Sequence, residues 1–279
     1  MTTIAVPAFP PLWVPKRRHI TDPLGRLVRH VGGWVGGASQ VTAAAAPSYD
    51  DHIASLSPLN WWKMQEASGN LADSGSAPTT ATPNGTSDYR AAGPGTGDTL
   101  YGIDHNGTDE WWSTADILDF EYTEDWSVNF WFRAETIGGS LLGKLGGASN
   151  YRGWELTFFG GKVRIQYISI NGTNYTRVDG STSPSTNTWY QISMTVKGSD
   201  GSPYGDNVQM YINGVAETMS VDVDNLSATT VNGDTFELAR GGSGVAGGKL
   251  DGQLCQVSLW RGTIISAEDF LTAYNRGSV

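Results

Sequence analysis

The residues of this chain whose types and spacing could do chemistry are aromatic rings and scattered carboxylates. Trp111 or Trp112, Tyr151, Trp154, Tyr175 and Tyr204 lie among Asn, Asp and Gly. An aromatic face beside amides and carboxylates can stack on the C–H face of a sugar while hydrogen-bonding its hydroxyls. The same rings suit the packed interior of a sheet protein equally well. Glu66, Asp73, Asp104, Asp109 and Asp251 are oxygen donors of the type a calcium ion takes, but their spacing is not that of a dedicated metal loop. Loop Asp also serves simply to form turns. Glu121, Glu124 and Asp125 gather in EYTED and read as a solvated turn. Histidine is sparse: His19 and His30 lie in the first 46 residues, and only His52 and His105 fall later, which is weak material for Ser/His/Asp hydrolysis. Cys255 is the single cysteine, so no internal disulfide or thiolate metal cluster forms within one chain. In the alternating stretch Leu254–Leu259 it reads as a small buried residue.

Charge narrows the partners. The formal total is −10, yet within residues 1–46 Lys16, Arg17, Arg18, Arg26 and Arg29 face only Asp22, a balance of +4 that leaves −14 for residues 47–279. An acidic body repels phosphate, so no nucleic acid is expected as a partner. No window approaches the roughly 18 uninterrupted apolar residues of a membrane span, so no membrane partner is expected either. In MTTIAVPAFPPLWVPKRR the charges follow the apolar residues, the reverse of a secretion signal. Classical secretion is therefore not expected.

Strands must position these groups. Trp126–Ala134, WSVNFWFRA, alternates with period two: Trp126, Val128, Phe130 and Phe132 point one way, Ser127, Asn129, Trp131 and Arg133 the other. The first face is fully apolar and requires a second layer over it. Downstream, Ser140–Leu145, Gly153–Phe159, Lys162–Ile170, Thr173–Val178, Trp189–Lys197, Asn207–Ile212, Val215–Met219, Thr235–Ala239 and Leu254–Trp260 repeat the pattern, with Gly160-Gly161, Asn171-Gly172 and Asn213-Gly214 as hairpin turns. Upstream, Leu59–Met64, Tyr101–Ile103 and Glu110–Ser113 are short strands, while residues 76–98, with three Pro, read as a long surface excursion. Ser266 with Asp269 three residues later caps a C-terminal helix with Phe270, Leu271 and Tyr274 on its apolar stripe. The fold class is therefore all-β: a sandwich of two antiparallel sheets with one short C-terminal helix.

Two parts follow. Residues 1–46 form an extended, Pro- and Gly-rich basic arm and linker, since Pro7, Pro10, Pro11 and Pro15 exclude both helix and central strand. Residues 47–279 form the β-domain, its first strand beginning near Ser57. The arm carries Ile4, Val6, Phe9, Leu12 and Trp13, more apolar surface than a tether needs, followed by Lys16, Arg17 and Arg18. These eight residues are the expected partner-binding surface, with the cations meeting an acidic rim.

In order, WWKMQEASGNLADSG, WSVNFWFRAE, LLGKLG, WELTFFGGKVRIQY, NTWYQISMTV, VQMYINGV, FELARGG and KLDGQLCQVSLWRGTIISAEDF resemble the laminin G-like modules of the concanavalin A-like jelly-roll sandwiches, over roughly residues 57–276. The resemblance implies a jelly-roll of two sheets that needs no cofactor, although sandwiches of this type often hold a loop calcium, and a role as glycan binder, adhesion module, hydrolase accessory domain or virion part. A glycosidase on this fold would carry a Glu-x-Asp-x-x-Glu run on one strand, which this chain lacks; no catalytic residue is assigned and the chain is expected not to be an enzyme. Cys255 stands where the family often has Asp, so a polar contact made by that Asp is not carried over. An acidic, cysteine-poor module with a Pro- and aromatic-rich arm resembles a bacteriophage virion protein. The expectation is an arm anchored on capsid or tail subunits or on further copies of the chain, with the sandwich exposed as decoration. Host-surface glycan binding is the alternative.

Overall fold

A computed structural model describes residues 46–95, 100–147, 150–202, 204–243 and 248–278. The eight arm residues expected to bind a partner, Ile4 to Arg18, lie outside the described residues. From Ala46 onward the chain forms one unit. Its elements in order are α1 (Tyr49–Ser55), β1 (Asn60–Trp62), β2 (Thr82–Asn84), β3 (Asp88–Ala92), β4 (Tyr101–Asn106), β5 (Trp111–Ser113), β6 (Asp125–Thr136), β7 (Ser140–Gly143) and β8 (Gly153–Phe159). They continue with β9 (Lys162–Ile170), β10 (Asn174–Asp179), β11 (Trp189–Lys197), β12 (Val208–Ile212), β13 (Val215–Ala216), β14 (Ser220–Asp224), β15 (Glu237–Leu238), β16 (Asp251–Arg261) and α2 (Ala267–Gly277).

The strands make two antiparallel sheets. One runs β13-β12-β11-β6-β16-β4-β3 with β1 added on β16; the other runs β14-β10-β9-β8-β7-β15-β5-β2. Strand β6 sits at the centre of the first sheet, with Phe130 opposite Ile192 and Val128 opposite Leu259. The alternation read from the sequence places Trp126, Val128, Phe130 and Phe132 between the sheets, each fully buried. There they meet Phe120, Trp154 and Phe236; Phe120 stacks on Trp126 at 4.4 Å between centroids. Burying each such side chain contributes roughly 1.5–3 kcal/mol.

The opposite face of β6 is covered as well. Trp131 is only 1% exposed and packs with Tyr49, Cys255, Trp260, Phe270 and Ala273 in a second apolar layer beneath the two helices. A polar ladder runs under that layer: Asn129 donates to the Tyr49 hydroxyl at 2.8 Å and accepts from Ser193 Oγ at 2.8 Å. Cys255 is fully buried and desolvation pushes its thiol far up, which leaves it without nucleophilic character.

Three elements differ from the sequence reading. Helix α1 precedes the first strand, closed by a capping box between Ser48 and Asp51; at seven residues it is too short for periodicity to reveal it. Residues 76–98 are not a plain excursion, because β2 and β3 form at the edges of the two sheets. Pro83 is tolerated there because an edge strand has amides to spare. Strand β14, SVDVD, was also missed: it is an edge strand whose side chains stay mostly exposed, so no core pattern marks it.

Candidate functional site

At one end of the first sheet, the start of β3, the end of β4, the start of β16 and the end of β6 come together, because those antiparallel neighbours alternate in direction. A recess of about 310 Å³ opens there, lined by Thr86, Asp88, Asp104, His105, Asn106, Glu110, Glu135 and Asp251. A second of about 340 Å³ adjoins it, shares Asn106 and Asp251, and adds Gly107, Thr108, Thr136, Gly138, Gly139 and Lys249.

Backbone irregularity shapes the rim. The ladder between β16 and β6 slips a register at Asp251/Gly252, and Gly252 adopts a φ of 137°, where a Cβ would lie 2.2 Å from the Arg133 carbonyl oxygen. Only glycine fits there. The turn after β4 leans on Asp251 in the same way, since a Cβ on Gly107 would come within 2.8 Å of the Asp251 Cβ.

Hydrogen bonds hold the polar groups in place. The Asn106 backbone amide donates to Glu110 Oε2 at 2.9 Å, and Asn106 Nδ2 donates to Asp109 at 2.8 Å. Thr136 Oγ1 donates to Asp251 at 2.6 Å, and the His105 amide donates to Asp104 at 3.1 Å. Desolvation, reinforced by the Glu135 charge, holds the Asp104 carboxyl above the usual range. Desolvation does the same to Glu110, with repulsion from Asp109, Asp88 and Asp104 added. His105 is 2% exposed, and burial pushes its imidazole down to about 4, so it is neutral at pH 7. Lys249 Nζ donates to the Thr108 carbonyl at 2.7 Å and lies 5.0 Å above the Trp111 ring, over which Arg240 also sits at 4.8 Å.

Two of the five calcium candidates, Asp104 and Asp251, therefore line the first recess, and Asp109 borders it through the hydrogen bond it accepts from Asn106. The other two do not. Asp73 is spent on the chain around it, accepting from Asn60 Nδ2 and from the amides of Trp61, Gly75 and Thr79; Glu66 accepts from the Ala72 amide. Among the described residues no three His, Cys, Asp or Glu side chains converge closely enough to hold a metal ion, so the calcium set does not assemble.

The aromatic candidates scatter too. Trp112 is fully buried and Trp154 is 1% exposed; both are core residues and correct the expectation of a sugar-stacking role. Trp154 Nε1 donates to the Leu118 carbonyl at 3.0 Å. Tyr175 lies under the Arg177 guanidinium, Tyr204 packs edge-on against Tyr122, and Tyr151 is half-buried with a left-handed φ of 50°. Only Trp111 borders the rim. Asp88, Asn106, Glu110, Glu135 and Lys249 were missed by sequence reasoning, and His105 was weighed only for hydrolysis; each is near a strand end, and only the strand order brings them together.

Catalytic geometry is not formed by the groups the sequence flagged. His52 Nε2 lies 2.9 Å from the Asp269 carbonyl and ties α1 to α2. Glu121 accepts from Thr229 and Thr230, Glu124 pairs with Arg261, and Asp125 accepts from Ser199; the three carboxylates are loop ties.

A family model for the concanavalin A-like lectin/glucanases superfamily matches residues 106–268. Among solved structures, domain 4 of AbnA, a GH43 extracellular arabinanase from Geobacillus stearothermophilus, in complex with arabinotriose, is similar over 78% of this chain and 98% of its own, with a TM-score of 0.53 and 17% identity. The binding domain of botulinum neurotoxin serotype C1 is similar over 80% of this chain and 52% of its own, with a TM-score of 0.55 and 12% identity. The binding domain of Paraclostridial Mosquitocidal Protein 1 is similar over 78% of this chain and 52% of its own, at TM-score 0.55 and 13% identity. The chain thus spans about half the length of these two toxin domains. Such identities speak to a shared fold. No curated protein matches the sequence.

Proposed function

Since the chain belongs to the concanavalin A-like lectin/glucanases superfamily, we propose that it is a non-catalytic, carbohydrate-binding adhesion module whose ligand sits in the rim of carboxylates. The observation that carries this reading is the pair of adjoining recesses, about 310 and 340 Å³, sharing Asn106 and Asp251. Pockets for small ligands start at about 300 Å³. Asp, Asn and Thr side chains accept from and donate to the several hydroxyls of a sugar ring, and the glycine-bearing loops let backbone amides approach it. The bound arabinotriose of the arabinanase domain and the binding-domain status of the toxin neighbours support the class.

The test is a glycan array probed with the full chain. A signal that disappears in Asp251→Ala and Asn106→Ala, with far-UV circular dichroism unchanged, is the expected result; a blank array from folded protein removes the reading.

The sequence of the arm supports a second, compatible role, anchorage of the module to a larger assembly such as a phage capsid or tail. Ile4, Val6, Phe9, Leu12 and Trp13 would supply the buried apolar area and Lys16, Arg17 and Arg18 the charge. Deleting residues 2–37 and measuring incorporation into particles decides it, since unchanged occupancy is incompatible with anchoring.

A further inference from the structure

The 340 Å³ recess differs from its neighbour in charge: among the described residues, Lys249 is the single Lys or Arg lining either one. Its backbone is held from one side. The Ser140 amide donates to the Gly248 carbonyl at 2.8 Å, and Gly139, at a φ of 71°, lies so close that a Cβ there would come 2.2 Å from the Lys249 carbonyl oxygen. The tip of the side chain is held from the other side, since Nζ donates to the Thr108 carbonyl at 2.7 Å and lies over the Trp111 ring. Neither partner is charged. Lys249 forms no ion pair among the described residues, whereas Arg240, over the same indole, pairs with Glu237 at 3.3 Å. Two cations therefore share one ring with a single carboxylate partner.

A half-buried ammonium, fixed at both ends and short of a counter-charge, calls for an anion with oxygen acceptors. A sugar hydroxyl also accepts from it, but a carboxylate adds Coulomb attraction to the hydrogen bond. The recess lets such a group approach the backbone, because nothing lies within 4 Å of the position a Cβ would take on Gly138. Resting on the glycan reading, we propose that the second recess selects an acidic sugar, the carboxylate of a hexuronate sitting against Lys249 Nζ. The first recess, with five carboxylates and no cation, repels that charge. The ligand therefore lies one way round. Its acid end meets Lys249, and its hydroxyls, which donate as well as accept, face Asn106 and Asp251, the two residues common to both recesses. Lys249 is the specificity-determining residue of this arrangement.

The test is a glycan array probed with the full chain at pH 7, carrying hexuronate oligosaccharides, the methyl ester of each beside it, and neutral and sulfated oligosaccharides. Esterification removes the charge and keeps the rest of the sugar. The acid forms should give the signal, and calorimetry of the strongest binder should find its acid about fivefold or more tighter than its ester, as a partly exposed ion pair implies. Lys249→Met keeps the apolar stem and should bring acid and ester to equal affinity with far-UV circular dichroism unchanged, whereas Lys249→Arg should retain the preference. An acid preference that persists in folded Lys249→Met overturns the site. Equal signals from acid and ester, or signals from neutral or sulfated glycans alone, overturn it too, and all of these leave the glycan reading standing. A blank array from folded protein removes both.

Discussion

The indole of Trp131 stacks on the phenol ring of Tyr274, with centroids 5.7 Å apart and planes inclined by 24°. Trp131 stands on the face of β6 turned away from the inter-sheet core, so helix α2 works as a third layer rather than an appendage. A Cβ added to the helix's Gly277 would lie 2.7 Å from the Trp131 ring, which leaves no room for a looser fit. Trp131→Ala should therefore cost about 3–5 kcal/mol. Tyr274→Leu, which removes the ring pair and keeps apolar bulk, should cost about 1 kcal/mol. Urea unfolding followed by Trp fluorescence measures both; a midpoint unmoved by Trp131→Ala would show that the helix layer contributes nothing.

The rim should make stability depend on pH through His105. Its imidazole is depressed to about 4 in the folded chain, against about 6.5 when unfolded. The unfolded state therefore binds the extra proton in that interval. Stability is complete above about pH 6.5, falls as pH drops toward about 4, and loses no more from this group below that, roughly 3 kcal/mol in all. Asp104 and Glu110 act in the opposite sense, because their folded carboxyls are raised and acid favours their neutral, folded forms. His105→Asn keeps an amide donor for the Gly252 carbonyl without the titration. The gap in unfolding free energy between wild type and this variant should change by roughly 3 kcal/mol between pH 7 and pH 4; a constant gap would refute the assignment.

Lys144 offers a test of a buried cation. Its side chain is 1% exposed and pairs with Asp116 and with Asp119, the latter at 2.6 Å, while the carboxylates themselves remain 50% and 28% exposed. Its hydrogen bond to Asp116 holds that carboxyl below the usual range. Neutralising both acids, Asp116→Asn/Asp119→Asn, strands a charge inside and should cost about 3–5 kcal/mol. Lys144→Met leaves only hydrated carboxylates and should cost less. Chemical denaturation of the two variants in parallel reads the order, and the reverse order would contradict it.

Much of the fold is legible in the sequence because burial enforces period two. In WSVNFWFRA the inward set is apolar without exception, and the structure buries each member. Edge strands carry no such constraint: β3 exposes alternate residues and half-buries the others, and β14 stays mostly exposed, with Asp residues of the kind that disfavour edge-to-edge pairing. The rim was partly legible. Asp104, Asp109 and Asp251 stood out as carboxylates, but their convergence with Asp88 and Glu135 depends on strand order and on the slip at Gly252, neither of which leaves a local mark. Trp111 and Trp112 show the limit most sharply: adjacent strand residues must face opposite ways, and only the second sheet decides which one is inside.

That last pair supplies a prediction in its own right. Trp112 is fully buried, in edge-on contact with Tyr89 at 5.7 Å, whereas Trp111 is half-buried beneath Arg240 and Lys249. Trp112→Ala should cost about 3–5 kcal/mol through the cavity it opens, and any glycan binding it loses should be lost in proportion to unfolded protein. Trp111→Ala should leave the fold nearly intact, because it removes two cation–ring contacts worth about 0.5–1 kcal/mol each at an exposed site. It should still weaken ligand binding severalfold, since Lys249, which lines the second recess, loses the surface that orients it. Thermal melts paired with affinity measured on folded protein separate the two cases. Full affinity in folded Trp111→Ala, or lost affinity in folded Trp112→Ala, would move the ligand away from this rim.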